Sequence, residues 1–259
     1  MRTNSRPVTV FLFAHQDDEM GVFAEIQSTL SRGDCVACFY LTNGETAHAT
    51  SETRNAESRK VMAALNVPDD SLFFVGTEYN IPDGKLFDHL EIAFTAALST
   101  MHGFFKIAKL VIHAWEGGHQ DHDAAHVLGL AIAKTLSLTH TSQQFALYRN
   151  DPSSYLPFVV FKPLKSNGAV MEAPVPVWQR VFQLVLLLRY RSQQRSILGL
   201  GPFIAWHYLT RGTQQLQPIN LERVQERPHE GKLLYENRAH VSYSTFREAV
   251  GTFCAKYGL

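Results

Sequence analysis

The sequence is short of the features that mark several protein classes. Its 259 residues include three cysteines, an odd number that argues against a disulfide framework and for a reducing, cytoplasmic compartment. Cys35 and Cys38 form a C-x-x-C, but no second pair completes four zinc ligands, and Cys35 to Leu41 reads as a buried strand. Neither sign of charge is in excess, with 24 Lys and Arg against 24 Asp and Glu, so the whole-chain balance offers no footprint for nucleic acid or an anionic membrane. The most apolar late run, Val181 to Leu188, is broken by Gln183 and flanked by arginines. It falls far short of the ~20 residues of a membrane span, although Val177 to Tyr190 is open to use as a docking or interfacial helix. No apolar segment of a signal peptide precedes the first strand, and no internal repeat or low-complexity segment occurs. A soluble protein of one domain over residues 1–259 is expected, with 45% apolar residues ample for its core.

What is present is concentrated at two places. Val8 to Phe13 is a continuous apolar run, suited to a strand covered on both faces, and it delivers Ala14-His15-Gln16-Asp17-Asp18-Glu19. One imidazole and three carboxylates at the end of a buried strand resist desolvation unless a cation neutralises them. The plainer reading is a helix start, with Asp17 or Asp18 as N-cap and Glu19 in the first turn. A second cluster decides between them: Gly117-Gly118-His119-Gln120-Asp121-His122 follows another apolar run, Leu110 to Ile112. Imidazole and carboxylate ligands from two strand ends suit zinc, whose catalytic sites take three protein ligands and keep a position for water.

The two clusters resemble the signatures of the PIG-L/LmbE-like metal-dependent deacetylases, which remove acetyl groups from N-acetylglucosamine-containing compounds. The family's His-Pro-Asp-Asp-Glu and His-Pro-Asp-His stand here as His15-Gln16-Asp17-Asp18-Glu19 and His119-Gln120-Asp121-His122. Glutamine replaces proline in both, a change of turn stiffness rather than of ligands. The resemblance covers about the first 140 residues, including Thr42-Asn43-Gly44-Glu45 and Arg54 with Glu57. Arg191-Ser192-Gln193 and Tyr235-Glu236-Asn237-Arg238 look like later landmarks.

The resemblance implies a hydrolase acting on a small amino-sugar substrate, with His15, Asp18 and His122 holding Zn2+, Fe2+ or another divalent metal. It leaves Asp17 as the base that takes a proton from water. His119 faces the oxyanion or protonates the departing amine, held by a carboxylate such as Asp121, and Arg54 contacts substrate. Some members carry a tyrosine two residues before this histidine; Gly117 stands here, which puts more weight on His119. Glu19 is expected to orient a ligand, Asp83 to form a turn, His113 to be a satisfied core histidine, and His126 is left undecided. An amidase for another N-acyl compound and a non-catalytic metal or sugar binder remain as rivals. Homo-oligomerisation is left open.

The remaining pattern predicts strands at Cys35 to Leu41, Leu72 to Val75 and Lys109 to Ala114. Helices are predicted at Met20 to Leu30, Ser51 to Leu65, Leu86 to Ser99 and Asp121 to Leu136. Alternating strands and helices give an α/β fold, a Rossmann-like three-layer αβα sandwich with a mostly parallel, doubly wound sheet. Dinucleotide binding is set aside, because no G-x-G-x-x-G opens the first turn. Residues 1–140 make the core that carries the site, and 141–259 supply loops, helices and closing elements that shape the pocket. There, Asp151 to Val177 reads as loops, Val177 to Ser196 as an arginine-bearing helix stopped by Gly199-Leu200-Gly201-Pro202, and Ser244 to Tyr257 as a closing helix.

Overall fold

The computed structural model describes residues 6–151 and 154–259. The first five residues, which belong to the stretch read for a signal segment, and Pro152 and Ser153 of the expected loop lie outside it. In chain order the elements are β1 (Val8–Phe13), α1 (Phe23–Ser31), β2 (Cys35–Tyr40), α2 (Ser51–Ala64), β3 (Leu72–Phe73), α3 (Val75–Glu78), α4 (Leu90–Met101), β4 (Ile107–His113) and α5 (Gln120–Thr135). There follow β5 (Gln143–Phe145), β6 (Tyr148–Arg149), β7 (Val159–Val160), β8 (Met171–Pro174), α6 (Val177–Leu187), α7 (Gln194–Thr210), β9 (Thr213–Pro218), α8 (Leu234–Arg238) and α9 (Tyr243–Tyr257).

One sheet runs β3-β2-β1-β4-β5-β9-β8. Its first five strands are parallel, and β9 and β8 add antiparallel pairs at one edge. This is the expected mostly parallel α/β sandwich. Alternation along β1 divides the core between two faces. Val10 and Leu12 pack with α4, α5 and α9, whereas Phe11 and Phe13 pack with α1, α2, α6 and α7. Every residue of β1 and β2 is buried, which is why both read as unbroken apolar runs rather than alternating ones.

The C-terminal third departs from expectation. The helix predicted to run from Val177 to Ser196 breaks after Leu187, and α7 continues through Gly199-Leu200-Gly201-Pro202. The break has a cause: Glu57 on α2 accepts hydrogen bonds from the Ser192 amide at 3.0 Å and the Ser192 hydroxyl at 2.7 Å, while Tyr190 is sunk into the core. Pro202 removes one helical hydrogen bond at an exposed position. The expected loop after Asp151 also contains β7 and β8, the latter paired with β9.

Candidate metal and catalytic site

β1 and β4 are hydrogen-bonded neighbours running in the same direction, so the turns that leave their carboxyl ends open side by side. Their two His/Asp clusters therefore converge on one cavity of about 530 Å³, lined among others by His15, Asp17, Asp18, Arg54, Asp83, His119 and His122.

The first turn is held tightly. Asp17 has φ 104°, a left-handed conformation that costs a non-glycine residue of order 1–3 kcal/mol. Fixed partners hold it there. The Asp17 amide donates to Glu19 Oε2 at 2.6 Å, and Tyr40 donates to Glu19 Oε1 at 3.0 Å. The His15 amide donates to Asp18 Oδ2 at 2.7 Å. Gln16, the residue in place of proline, ties the turn sideways through its amide to Asn55 Oδ1 at 2.6 Å. The Arg54 guanidinium, 3% exposed, donates to Gly44 O at 2.7 Å, Asp17 Oδ1 at 3.0 Å, Asp83 Oδ2 at 3.3 Å and the Gln16 carbonyl. Gly44 is at φ +65°, and a Cβ there would meet the Gln16 and Arg54 side chains, so glycine is what lets the arginine reach in.

Around Asp18 lie donor atoms at spacings that could hold a cation. Asp18 Oδ1 lies 3.2 Å from His122 Nε2 and Asp18 Oδ2 lies 3.5 Å from His15 Nδ1. Those spacings match the edge of a tetrahedron with bonds of ~2.1 Å, which is about 3.4 Å. His122 is buried with neither ring nitrogen hydrogen-bonded, an expensive state for a side chain whose role is packing. His15 presents its other nitrogen, Nε2, to Asp121 Oδ2 at 3.0 Å, the arrangement in which a carboxylate orients a ligating imidazole. Among the described residues, the sets of three donor atoms that all fall within 4.8 Å of one another are His15/His119/His122, Asp18/His113/His122 and His15/Asp83/Asp121. His15, Asp18 and His122 are thus joined in pairs through Asp18 rather than as one of these trios.

Electrostatics separate the two adjacent aspartates. Burial pushes the Asp17 carboxyl up to about 8, against the pull of Arg54. Burial works the same way on Asp18, yet His122 and His113 hold it well below the usual carboxylate range. Burial lowers His119 and His122 to about 4, leaving neutral imidazoles. Burial opposes charge on His15 too, but the Asp83, Asp121 and Asp18 carboxylates raise it well above the ordinary value. With Asp17 raised, the Asp18, Asp83 and Asp121 carboxylates still outnumber the Arg54 guanidinium and the His15 imidazolium, a surplus of negative charge that a bound cation would offset.

Several expectations need correction. Asp121 does not hold His119: its carboxylate accepts from His15 Nε2, from the Gly84 amide at 2.6 Å and from the Leu86 amide at 3.0 Å. His119 Nδ1 instead accepts from the Asp121 amide at 3.2 Å, as the N-cap of α5, which leaves the proton of the neutral ring on Nε2. His113 is not a satisfied core histidine. It closes β4 beside the site, stacks on His122 with ring centres 4.2 Å apart, approaches Asp18 Oδ2 at 3.1 Å, and has an unpartnered Nδ1. Its place as the last residue of a strand that feeds the site was the available signal. Asp83 is more than a turn residue, lying 3.3 Å from His15 Nε2. His126 turns away, donating from Nδ1 to the His113 carbonyl at 2.8 Å. Glu57 pairs with Ser192. Tyr148, which no motif marked, also lines the cavity, as do Tyr235 and Arg238 of the later landmark.

Residues 10–133 match the family model described as PIG-L: GlcNAc-PI de-N-acetylase. No curated protein matches the chain by sequence. Among solved structures, the chain is similar to the zinc-inhibited form of teicoplanin deacetylase, at TM-score 0.60 and 12% identity over 82% of this chain and 98% of that one. It is similar to the A40926 pseudoaglycone deacetylase, at TM-score 0.61 and 13% identity over 88% and 100%. A third likeness is to the N,N'-diacetylchitobiose deacetylase of Pyrococcus horikoshii, at TM-score 0.55 and 12% identity over 81% and 82%.

Proposed function

We propose, from the match of residues 10–133 to the family model described as PIG-L: GlcNAc-PI de-N-acetylase, that the chain is a metal-dependent hydrolase that removes the N-acetyl group from an N-acetylglucosamine-type sugar or conjugate. The observation that carries this reading is the convergence of the two His/Asp clusters on one cavity, with His122 buried, without a hydrogen bond at either ring nitrogen, and 3.2 Å from Asp18 Oδ1 through Nε2. His15, Asp18 and His122 would hold the metal, which when bound supplies a Lewis acid that activates water and polarises the amide carbonyl. Zn2+ is the first candidate, because two imidazoles and one carboxylate suit it, and Fe2+ accepts the same set.

The chain's own groups account for the proton movements. Asp17 lines the cavity with its carboxyl raised towards neutrality, so it accepts a proton from the attacking water; Arg54 occupies Oδ1, leaving Oδ2 for that proton. His119 carries its proton on Nε2 and donates a hydrogen bond from there to the oxygen that gains charge as the carbonyl is attacked. The proton taken by Asp17 passes to the departing amine. Asp121 acts on His15, fixing its tautomer through Nε2. Arg54 both fixes Asp17 and borders the cavity, where its edge contacts the sugar.

Acetate release from a panel of N-acetylated amino sugars, free and nucleotide- or lipid-linked, tests the proposal. At least one substrate should be hydrolysed, with activity lost to a chelator and restored by added metal. Hydrolysis indifferent to chelation would remove the metal, and no hydrolysis across N-acetyl and other N-acyl amines would remove the enzyme.

A further inference from the structure

The large apolar side chains left open to solvent gather on α6 and α7. Along α6, Trp178, Val181 and Val185 are exposed, and Leu188 just past its end is 72% exposed; the steps of three and four residues make them one stripe. The opposite side of α6 sends Leu186 and Leu187 into the core. On α7, Leu198, Trp206 and Leu209 are left open while Ile204 and Tyr208 pack inward. Trp178 and Trp206 are 67% and 66% exposed, an uncommon setting for so large a ring.

Charge along this stretch of chain is one-sided, with Glu172 near Arg211 and Glu57 sharing a hollow with Arg189 and Arg191 as its acidic neighbours. The neutral balance of the whole chain conceals it: from Ala173 to Leu221 there are five arginines, Arg180, Arg189, Arg191, Arg195 and Arg211, and no Asp or Glu. Arg180 turns inward to the Val175 and Tyr208 carbonyls; the other four are exposed. A second copy seated on this face would bring like charges together across a two-fold axis. An anionic surface complements them. Amphipathic helices with tryptophan on the apolar side and arginine beside it lie in the boundary between lipid headgroups and acyl chains. Among the described residues no helix is long and apolar enough to cross a membrane, so the helices lie on a bilayer rather than through it. The same α7 carries Ile197, Leu200 and Ile204 into the wall of the cavity.

We propose that the α6–α7 pair docks this protein peripherally on the surface of an anionic lipid bilayer. The docking does not depend on the hydrolytic reading, and its test reads binding alone. The full chain is sedimented with vesicles of phosphatidylcholine and with vesicles of phosphatidylcholine mixed with an equal part of phosphatidylglycerol, and tryptophan emission is recorded. Trp115 is buried, so the shift reports Trp178 and Trp206. Binding to the anionic vesicles should be tighter by at least about tenfold and weaken with salt, with emission moving to the blue. Arg191→Gln and Arg211→Gln should each weaken binding by about fivefold, as expected for a basic residue near an anionic surface. Trp178→Ser with Trp206→Ser should abolish the emission shift at an unchanged melting temperature, and the arginine variants stand as the test if that pair misfolds. Equal binding to both vesicle types, or none, overturns the proposal. A lipid-free dimer in sedimentation velocity that dissociates on Trp178→Ser overturns it in favour of a second copy.

Discussion

Replacing Arg54 with methionine keeps much of the side-chain bulk on α2 and deletes the guanidinium that gathers the first turn. The variant strands the Asp17 and Asp83 carboxylates and the Gly44 and Gln16 carbonyls, four acceptors that Arg54 now serves. Removing one partner of a buried ion pair costs about 3–5 kcal/mol. Asp83 is 22% exposed at its side chain and Asp17 11%, so water relieves part of that, and about 3 kcal/mol is the expected loss. For a chain of this size each kcal/mol moves Tm by about 2–4 °C, which gives a drop of about 6–12 °C in calorimetry at neutral pH. The loss must also depend on pH. Burial raises Asp83, but His15 and Arg54 more than offset it and hold the carboxyl below its ordinary value. A depressed carboxylate stabilises above its unfolded pKa and ceases to as pH falls through the folded one, so the gap between wild type and variant should narrow in acid. Lysine at the same position, a point charge with no fork, should recover less than half of the gap. A Tm drop under about 2 °C, or one equally large at all pH values, would refute the assignment of Arg54 as the clamp of this turn.

The same geometry sets three further outcomes. Asp17→Asn tolerates the left-handed backbone and keeps the ligands, so it should retain metal by elemental analysis while slowing acetate release by about 10²–10⁴-fold; wild-type rates would exclude Asp17 as the base. His122→Ala should lose bound metal, whereas His126→Ala, on the same helix but facing the His113 carbonyl, should keep it; equal stoichiometry in both would sink the ligand assignment. Glu116 is buried, accepts the Leu147 and Tyr148 amides, and is pushed up to about 8 by burial. A raised carboxyl stabilises the fold at low pH and ceases to as pH climbs from about 4.5 to about 8. Glu116→Gln keeps the acceptor without the charge, so its Tm relative to wild type should rise across that window; a flat difference would show that Glu116 is already ionised in the fold.

How much of this was legible in sequence follows from where the information is local. β1, β2 and β4 were readable because strands buried on both faces must be apolar throughout, and α2, α5 and α9 because one face of each packs inward. β9 was not readable: Thr213-Gln214-Gln215-Leu216-Gln217-Pro218 has no apolar run, and its place depends on partners at β5 and β8. The end of α6 was misread for a similar reason. Its stop is Glu57, 135 residues away from Ser192, and no glycine or proline in the helix itself carries that fact.

The site shows the same division more sharply. The clusters at His15 to Glu19 and His119 to His122 announced themselves because each packs its charges into one turn, and the parallel pairing of β1 with β4 was enough to bring them together. What sequence did not yield was which carboxylate faces which imidazole. Asp121 stands two residues from His119, yet its side chain is drawn off by the Gly84 and Leu86 amides and meets His15 instead. That exchange alters the chemistry. A carboxylate on His119 would favour an imidazolium able to give up a proton, whereas a backbone amide on Nδ1 and deep burial leave a neutral ring that donates a hydrogen bond from Nε2. In the proposed reaction the base would then carry its proton to the departing amine, so that Asp17 would serve both halves and His119 would steady the charge between them. Asp17→Asn should accordingly abolish the acid limb of the pH–rate profile, while His119→Gln, which keeps a donor, should lower kcat and leave both limbs where they were. A His119→Gln variant that lost an alkaline limb present in wild type would return the proton transfer to the histidine.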